Sequence, residues 1–208
     1  MIRSHHRDGL FLLTIDRPDK ANALTADMLR DLRAGVAQAL DSGARALILT
    51  GAGRVFSAGA DLDQARTGLA TAPEWEDLSA ALAALPCLTV AALNGSLAGG
   101  AFGMALACDI RLAVPDARFF YPVMRLGFLP QPSDPARLVA LVGPARARMI
   151  LMAGARIDAP EALAWGLVDR ILPAPDLMEA ACALATDALA ADPAHVATIK
   201  AMTRPSRA

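Results

Sequence analysis

At 208 residues, with 55% hydrophobic and only 20% charged side chains, the chain holds enough apolar material to bury one substantial core, and a single domain is expected. A formal net charge of −1 leaves no basic footprint for nucleic acid or an anionic membrane surface. Three cysteines, Cys87, Cys108 and Cys182, stand far apart in apolar sequence, which fits neither a disulfide framework nor a metal knuckle and points to a reducing cytoplasm.

Residues 1–9 are polar, lack the apolar core of a signal peptide, and read as a mobile terminus carrying His5 and His6. A strand is predicted over 10–15, a helix capped by Thr25 over 25–40, and a buried strand over 45–50. A turn of small residues follows, Ser57-Ala58-Gly59-Ala60-Asp61-Leu62. Next come an amphipathic helix over 73–85, a buried strand over 88–93, a second turn at Asn94-Gly95-Ser96-Leu97-Ala98-Gly99-Gly100-Ala101, and a helix over 100–107. The stretch from 78 to 108 has no charged residue and is long enough to cross a membrane. Pro86, Asn94-Gly95 and Gly99-Gly100 cut it into pieces too short to span, so no membrane association is expected. Short strands are predicted at 109–113 and 119–121. Beyond Gly127 helices predominate, at 135–141, 144–152, 159–165, 177–189 and 193–202, with one strand near 168–171. The expected organisation is α/β, an α/β core over 1–127 and a mainly helical end over 128–208.

The two small-residue turns each stand where an apolar strand hands over to a helix. A backbone N–H at a helix start has no intrahelical acceptor and carries the positive end of the helix dipole. Two such donors aimed at one carbonyl oxygen stabilise negative charge developing there, and small residues let a ligand approach the backbone. The structural alternative is that glycine and alanine simply allow tight strand-to-helix packing. Other motifs are excluded by spacing. Gly51-Ala52-Gly53 with Gly59 lacks the Gly-Lys-Ser/Thr of a phosphate loop, and neither Ser57 nor Ser96 sits in Gly-x-Ser-x-Gly. His195 has no triad partners in pattern, and no His/Asp/Glu cluster indicates a metal.

The segments Ile15-Asp16-Arg17-Pro18-Asp19-Lys20-Ala21-Asn22-Ala23-Leu24, Leu49-Thr50-Gly51-Ala52-Gly53-Arg54-Val55-Phe56-Ser57-Ala58-Gly59-Ala60-Asp61-Leu62 and Ala91-Ala92-Leu93-Asn94-Gly95 through Asp109 resemble the enoyl-CoA hydratase/isomerase (crotonase) family. The resemblance continues through Leu126-Gly127-Phe128-Leu129-Pro130 and Glu161-Ala162-Leu163-Ala164-Trp165-Gly166-Leu167-Val168, covering about 13–202. It implies a stacked ββα spiral with a helical C-terminal end, shortened at the C-terminus because family members continue through a further helix pair past the equivalent of Ala208. It implies an acyl- or enoyl-CoA substrate in fatty acid metabolism, coenzyme A arriving as part of that substrate, no permanently bound cofactor, and a homotrimer or dimer of trimers. The oxyanion donors carried over by position are the backbone N–H groups of Ala60 and Gly100. Lys20, Ala21, Ala58, Asp61 and Leu62 match coenzyme A-contacting segments, and Gly99, Tyr121 and Val123 match substrate-binding positions. Asp61, early in a helix, is equally a residue that meets the dipole as a cap.

Both hydratase glutamates of the family are replaced here, by Gly103 and Val123, and neither residue transfers a proton. The nearest acid is Asp134, with Gln131 and Tyr121 nearby, placed by the family fold on the wall facing the α and γ carbons of the substrate. Asp134 is also a natural cap for a helix opening at Pro135. Isomerisation, which needs one shuttling base, is therefore expected ahead of hydration with a non-standard base, lyase chemistry or silent binding of CoA thioesters.

Overall fold

A computed structural model describes residues 1–203. The chain opens with β1 (Ile2–Arg7), β2 (Leu10–Ile15) and α1 (Ala26–Asp41). Next come β3 (Ala46–Gly51), β4 (Val55–Ser57), α2 (Leu62–Arg66) and α3 (Glu74–Ala84), then β5 (Leu88–Leu93), β6 (Ser96–Ala98) and α4 (Phe102–Ala107). β7 (Ile110–Ala113) and β8 (Arg118–Phe120) lead into α5 (Val123–Leu126) and α6 (Asp134–Leu151). β9 (Arg156–Asp158), α7 (Ala159–Trp165), β10 (Arg170–Ile171), α8 (Leu177–Ala190) and α9 (Pro193–Met202) follow.

One sheet runs β1-β2-β3-β5-β7-β10, parallel except for the β1–β2 hairpin, and the other runs β4-β6-β8-β9. The pairs β3/β4, β5/β6 and β7/β8 each give their first strand to the large sheet and their second to the small one before a helix returns the chain. That is the stacked ββα spiral, with the helical end beyond it.

The apolar run of β3 fits its place between β2 and β5, because Ala46, Leu47, Ile48 and Leu49 are fully buried under elements on both faces. In α1 the Thr25 hydroxyl accepts from the Met28 N–H, and Met28, Leu29, Leu32, Val36 and Ala39 form the stripe against the core. The uncharged stretch 78–108 is divided among α3, β5, β6 and α4, and among the described residues no helix is long and apolar enough to cross a membrane.

The structure corrects three expectations. The amino terminus is an edge strand rather than a mobile segment, and His5 and His6 pair with Leu12 and Phe11 across the hairpin. Its side chains are almost all exposed, so backbone pairing is its main hold, helped by an Arg3–Asp16 ion pair at 2.9 Å, and no apolar pattern marks it. The helices expected at 135–141 and 144–152 form one kinked element, bent at Gly143 (φ 79°, ψ 163°) ahead of Pro144. Helix α6 begins at Asp134 with Ser133 as its N-cap, one residue earlier than expected.

Candidate active site

The first turn is held by a buried amide. Asn22 takes a left-handed conformation (φ 54°) and is fully buried. Its Oδ1 accepts from the Arg17 N–H, and its Nδ2 donates to the carbonyls of Ala52 and Val55 at 2.9 and 2.6 Å. Its own carbonyl accepts from the Ser57 hydroxyl at 2.8 Å. The turn is then laced to residues 21–24. Ala58 N–H donates to Ala21, Leu24 N–H to Gly59 and Asp61 N–H to Leu24, while Gly59 N–H donates to the Ser57 hydroxyl. Between these engaged donors, the Ala60 N–H has no acceptor among the described residues.

Asn94 ties the second turn to the first. Its Oδ1 accepts from Gly51 N–H at 2.9 Å, and its Nδ2 reaches the carbonyls of Gly53 and Val55. The two backbones then touch: a Cβ on Gly59, whose φ is +90°, would lie 2.8 Å from the Ala98 carbonyl oxygen and 3.4 Å from Gly99 Cα. Gly100 lies in the 3-10 turn Gly99–Ala101 that opens α4, and its N–H likewise has no acceptor among the described residues. The Trp75 indole covers it, with ring atoms 3.1 Å from where a Gly100 side chain would begin and its N–H held by the Leu69 carbonyl.

Both free amides border one cavity of about 280 Å³. Ala58, Ala60, Leu62, Gly99, Gly100, Tyr121 and Val123 line it, together with Trp75, Phe128, Leu129 and Gln131. A larger hollow of about 470 Å³ lies between α8 and α9 but contains neither glycine turn. The remaining predicted positions are not in the cavity wall. Lys20 is exposed on the 3-10 turn Pro18–Lys20, and Ala21 contributes its carbonyl to the Ala58 N–H. Asp61 caps α2 through the N–H groups of Asp63 and Gln64 and pairs with Arg17 at 2.7 Å. The Arg17 guanidinium holds the Asp61 carboxyl below its ordinary range, so Asp61 is a fixed anion with a structural task.

Asp134 is neither on the cavity wall nor a cap. It is 1% exposed, and its Oδ2 accepts from the Tyr121 hydroxyl at 2.8 Å. The capping position belongs to Ser133, whose hydroxyl and N–H bond Glu76 instead. Tyr121 stands between the carboxylate and the cavity. Oδ1 of Asp134 is buried without a hydrogen-bond partner and lies 3.0 Å from where a Cβ on Gly103 would sit. The carboxylate thus fills the space that any side chain at 103 would need. Burial pushes the Asp134 carboxyl up to about 6, against the Tyr121 hydrogen bond and the Arg137 charge, with Glu76 adding to the rise. Burial and the neighbouring Asp134 push the Tyr121 phenol well above its usual range.

Sequence reasoning missed the clamping roles of Asn22 and Asn94 and the lid of Trp75. The signal for Asn94 is a lone amide between the apolar strand and Gly95; nothing local marks Trp75 as more than a core residue.

The sequence pattern of the enoyl-CoA hydratase/isomerase family matches residues 5–207. A Mycobacterium tuberculosis protein named "Probable enoyl-CoA hydratase echA6" is 35% identical over 175 residues, covering 82% of this chain and 70% of that one. A Rhodobacter capsulatus "Probable enoyl-CoA hydratase" is 37% identical, covering 83% and 68%. The structure also superposes on an enoyl-CoA hydratase/isomerase from Pseudoalteromonas atlantica (TM-score 0.89, 29% identity, 97% of this chain and 81% of that one) and on DspI of Pseudomonas aeruginosa (TM-score 0.88, 32% identity, 97% and 85%).

Proposed function

The chain belongs to the enoyl-CoA hydratase/isomerase family, and we propose that it binds an acyl- or enoyl-CoA thioester with the thioester oxygen between the N–H groups of Ala60 and Gly100. The observation that carries this reading is the pair of free amides on one apolar cavity, locked by direct contact of the Gly59 and Ala98–Gly99 backbones. Preorganised donors of this kind stabilise the enolate formed when the α-carbon loses a proton. The lining fits an apolar acyl segment. Coenzyme A enters with the substrate, and the exposed Lys20 offers a charge to its phosphates.

Isomerisation of an enoyl-CoA double bond suits the site better than hydration. Gly103 and Val123 offer no carboxylate to activate water, and the room beside Gly103 is taken by Asp134. A silent CoA-thioester binding protein is the second reading, favoured by one observation: no carboxylate or histidine lines the cavity. The test is turnover of a 3-enoyl-CoA beside binding of crotonyl-CoA. Gly100→Pro deletes one donor, and turnover is expected to fall about a hundred- to a thousandfold, with the melting temperature read alongside because the added carbons also press on the Trp75 ring 3.1 Å away. Undiminished turnover in that variant overturns the assignment.

A further inference from the structure

We propose that Tyr121 is the catalytic residue that meets the reacting carbons, and that Asp134 acts through it from behind, the two moving one proton between substrate and protein interior. The proposal deepens the enolate reading above and rests on it.

Tyr121 is the cavity-lining side chain that hydrogen-bonds the Asp134 carboxylate, Oη to Oδ2 at 2.8 Å. Its ring stacks on Phe102 with centroids 5.3 Å apart, and its oxygen also accepts from the Gln131 N–H at 3.4 Å, so the hydroxyl is held in one place. Asp134, 1% exposed, is not among the residues lining the cavity, whereas the tyrosine bonded to it is. A buried carboxylate oxygen without a partner costs stability, and Oδ1 is the one such side-chain atom among the described residues. The charged groups packed around the pair have hydrogen-bond partners of their own. Glu76 from α3 is bonded to Ser133, Arg137 from α6 to the Ser79 hydroxyl, and Gly103 from α4 brings no side chain.

The step balances without a co-reactant. The α C–H bond of a 3-enoyl thioester breaks, and its electron pair becomes the dienolate, whose oxygen the Ala60 and Gly100 amides hold. The proton passes to Tyr121 Oη as the Oη proton passes to Asp134 Oδ2. On return, Oη–H protonates the γ carbon and the Asp134 proton refills Oη, so the double bond has moved and the protein is unchanged. Concerted transfer avoids a free phenolate, which burial beside a carboxylate disfavours.

Two readouts test the relay: isomerisation of trans-3-hexenoyl-CoA, followed by absorbance of the conjugated thioester, and loss of α-proton signal of butyryl-CoA in D2O by NMR. Tyr121→Phe is expected to lower both by about a hundred- to ten-thousandfold while leaving the Kd for butyryl-CoA unchanged. In the parent protein the rate is expected to rise as Asp134 ionises around pH 6 and to be flat above it. Asp134→Asn is expected to remove that rise along with most of the activity, a change that a merely structural role would not produce. An active parent whose Tyr121→Phe variant keeps both rates, or whose pH profile survives in Asp134→Asn, overturns the relay alone. A parent that binds butyryl-CoA yet neither exchanges its α-protons nor isomerises overturns the relay and the isomerase reading together.

Discussion

Asp134 carries a stability cost beside its proposed chemical use. Its folded carboxyl lies at about 6 against an ordinary 3.8, so between these values the folded state holds a proton that the unfolded chain has lost. Stability therefore falls as pH rises through that window and levels off above it. Asp134→Asn cannot ionise, so its melting temperature relative to the parent is expected to climb from pH 4 to pH 6 and then hold constant. A difference between the two proteins that does not vary with pH, in thermal denaturation followed by circular dichroism, would show that the carboxyl is not raised. The sequence placed Asp134 beside Tyr121 and Gln131 and left two roles open. Its burial, its partner and its contact with Gly103 depend on how α6 meets α3 and α4, which no local pattern encodes.

Among the elements, the two turns work as one unit because their glycines have no side chains. Gly59→Ala adds a Cβ 2.8 Å from the Ala98 carbonyl at a position with φ +90°, so the backbone of one turn must yield. Loss of more than about 1 kcal/mol of stability is expected from the conformation alone. Because the shift spreads the Ala60 and Gly100 amides, turnover is expected to drop further than unfolding explains. A variant with the parent's melting temperature and rate would mean that the turns are not coupled. Both turns were legible as small-residue runs between strand and helix, and so were most long helices and buried strands. What holds the turns was not. Asn22 and Asn94 act on carbonyls thirty to forty positions away in sequence, at Ala52, Val55 and Gly53. The β1–β2 hairpin does carry a local signal, Asp8-Gly9, which takes φ 54° and 87°, the two positive angles that a two-residue turn between twisted strands requires. Strands β4, β6 and β9, at three residues each, are too short to show a period.

For the whole molecule, the distribution of exposed apolar side chains bears on assembly. Leu62, Leu126 and Leu129 rim the cavity, whereas Val139, Met149, Met152 and Leu163 are exposed on and beside α6 and α7. On the proposed reading, an acyl chain entering between them accounts for the first group. The second lies on the helical end, away from the cavity lining, and exposed apolar side chains that share one face mark protein contacts. The family's trimer, or dimer of trimers, is the expected assembly, with this second group at the subunit contacts. Light scattering at micromolar concentration should return a mass of three or six chains. Met149→Glu together with Val139→Glu should lower it toward one chain, because charges buried unpaired at an interface are strongly unfavourable. Neither position lines the cavity and both are exposed, so the secondary structure seen by circular dichroism should persist. A parent that is monomeric under these conditions, or an assembly indifferent to both glutamates, would remove α6 and α7 from the interface.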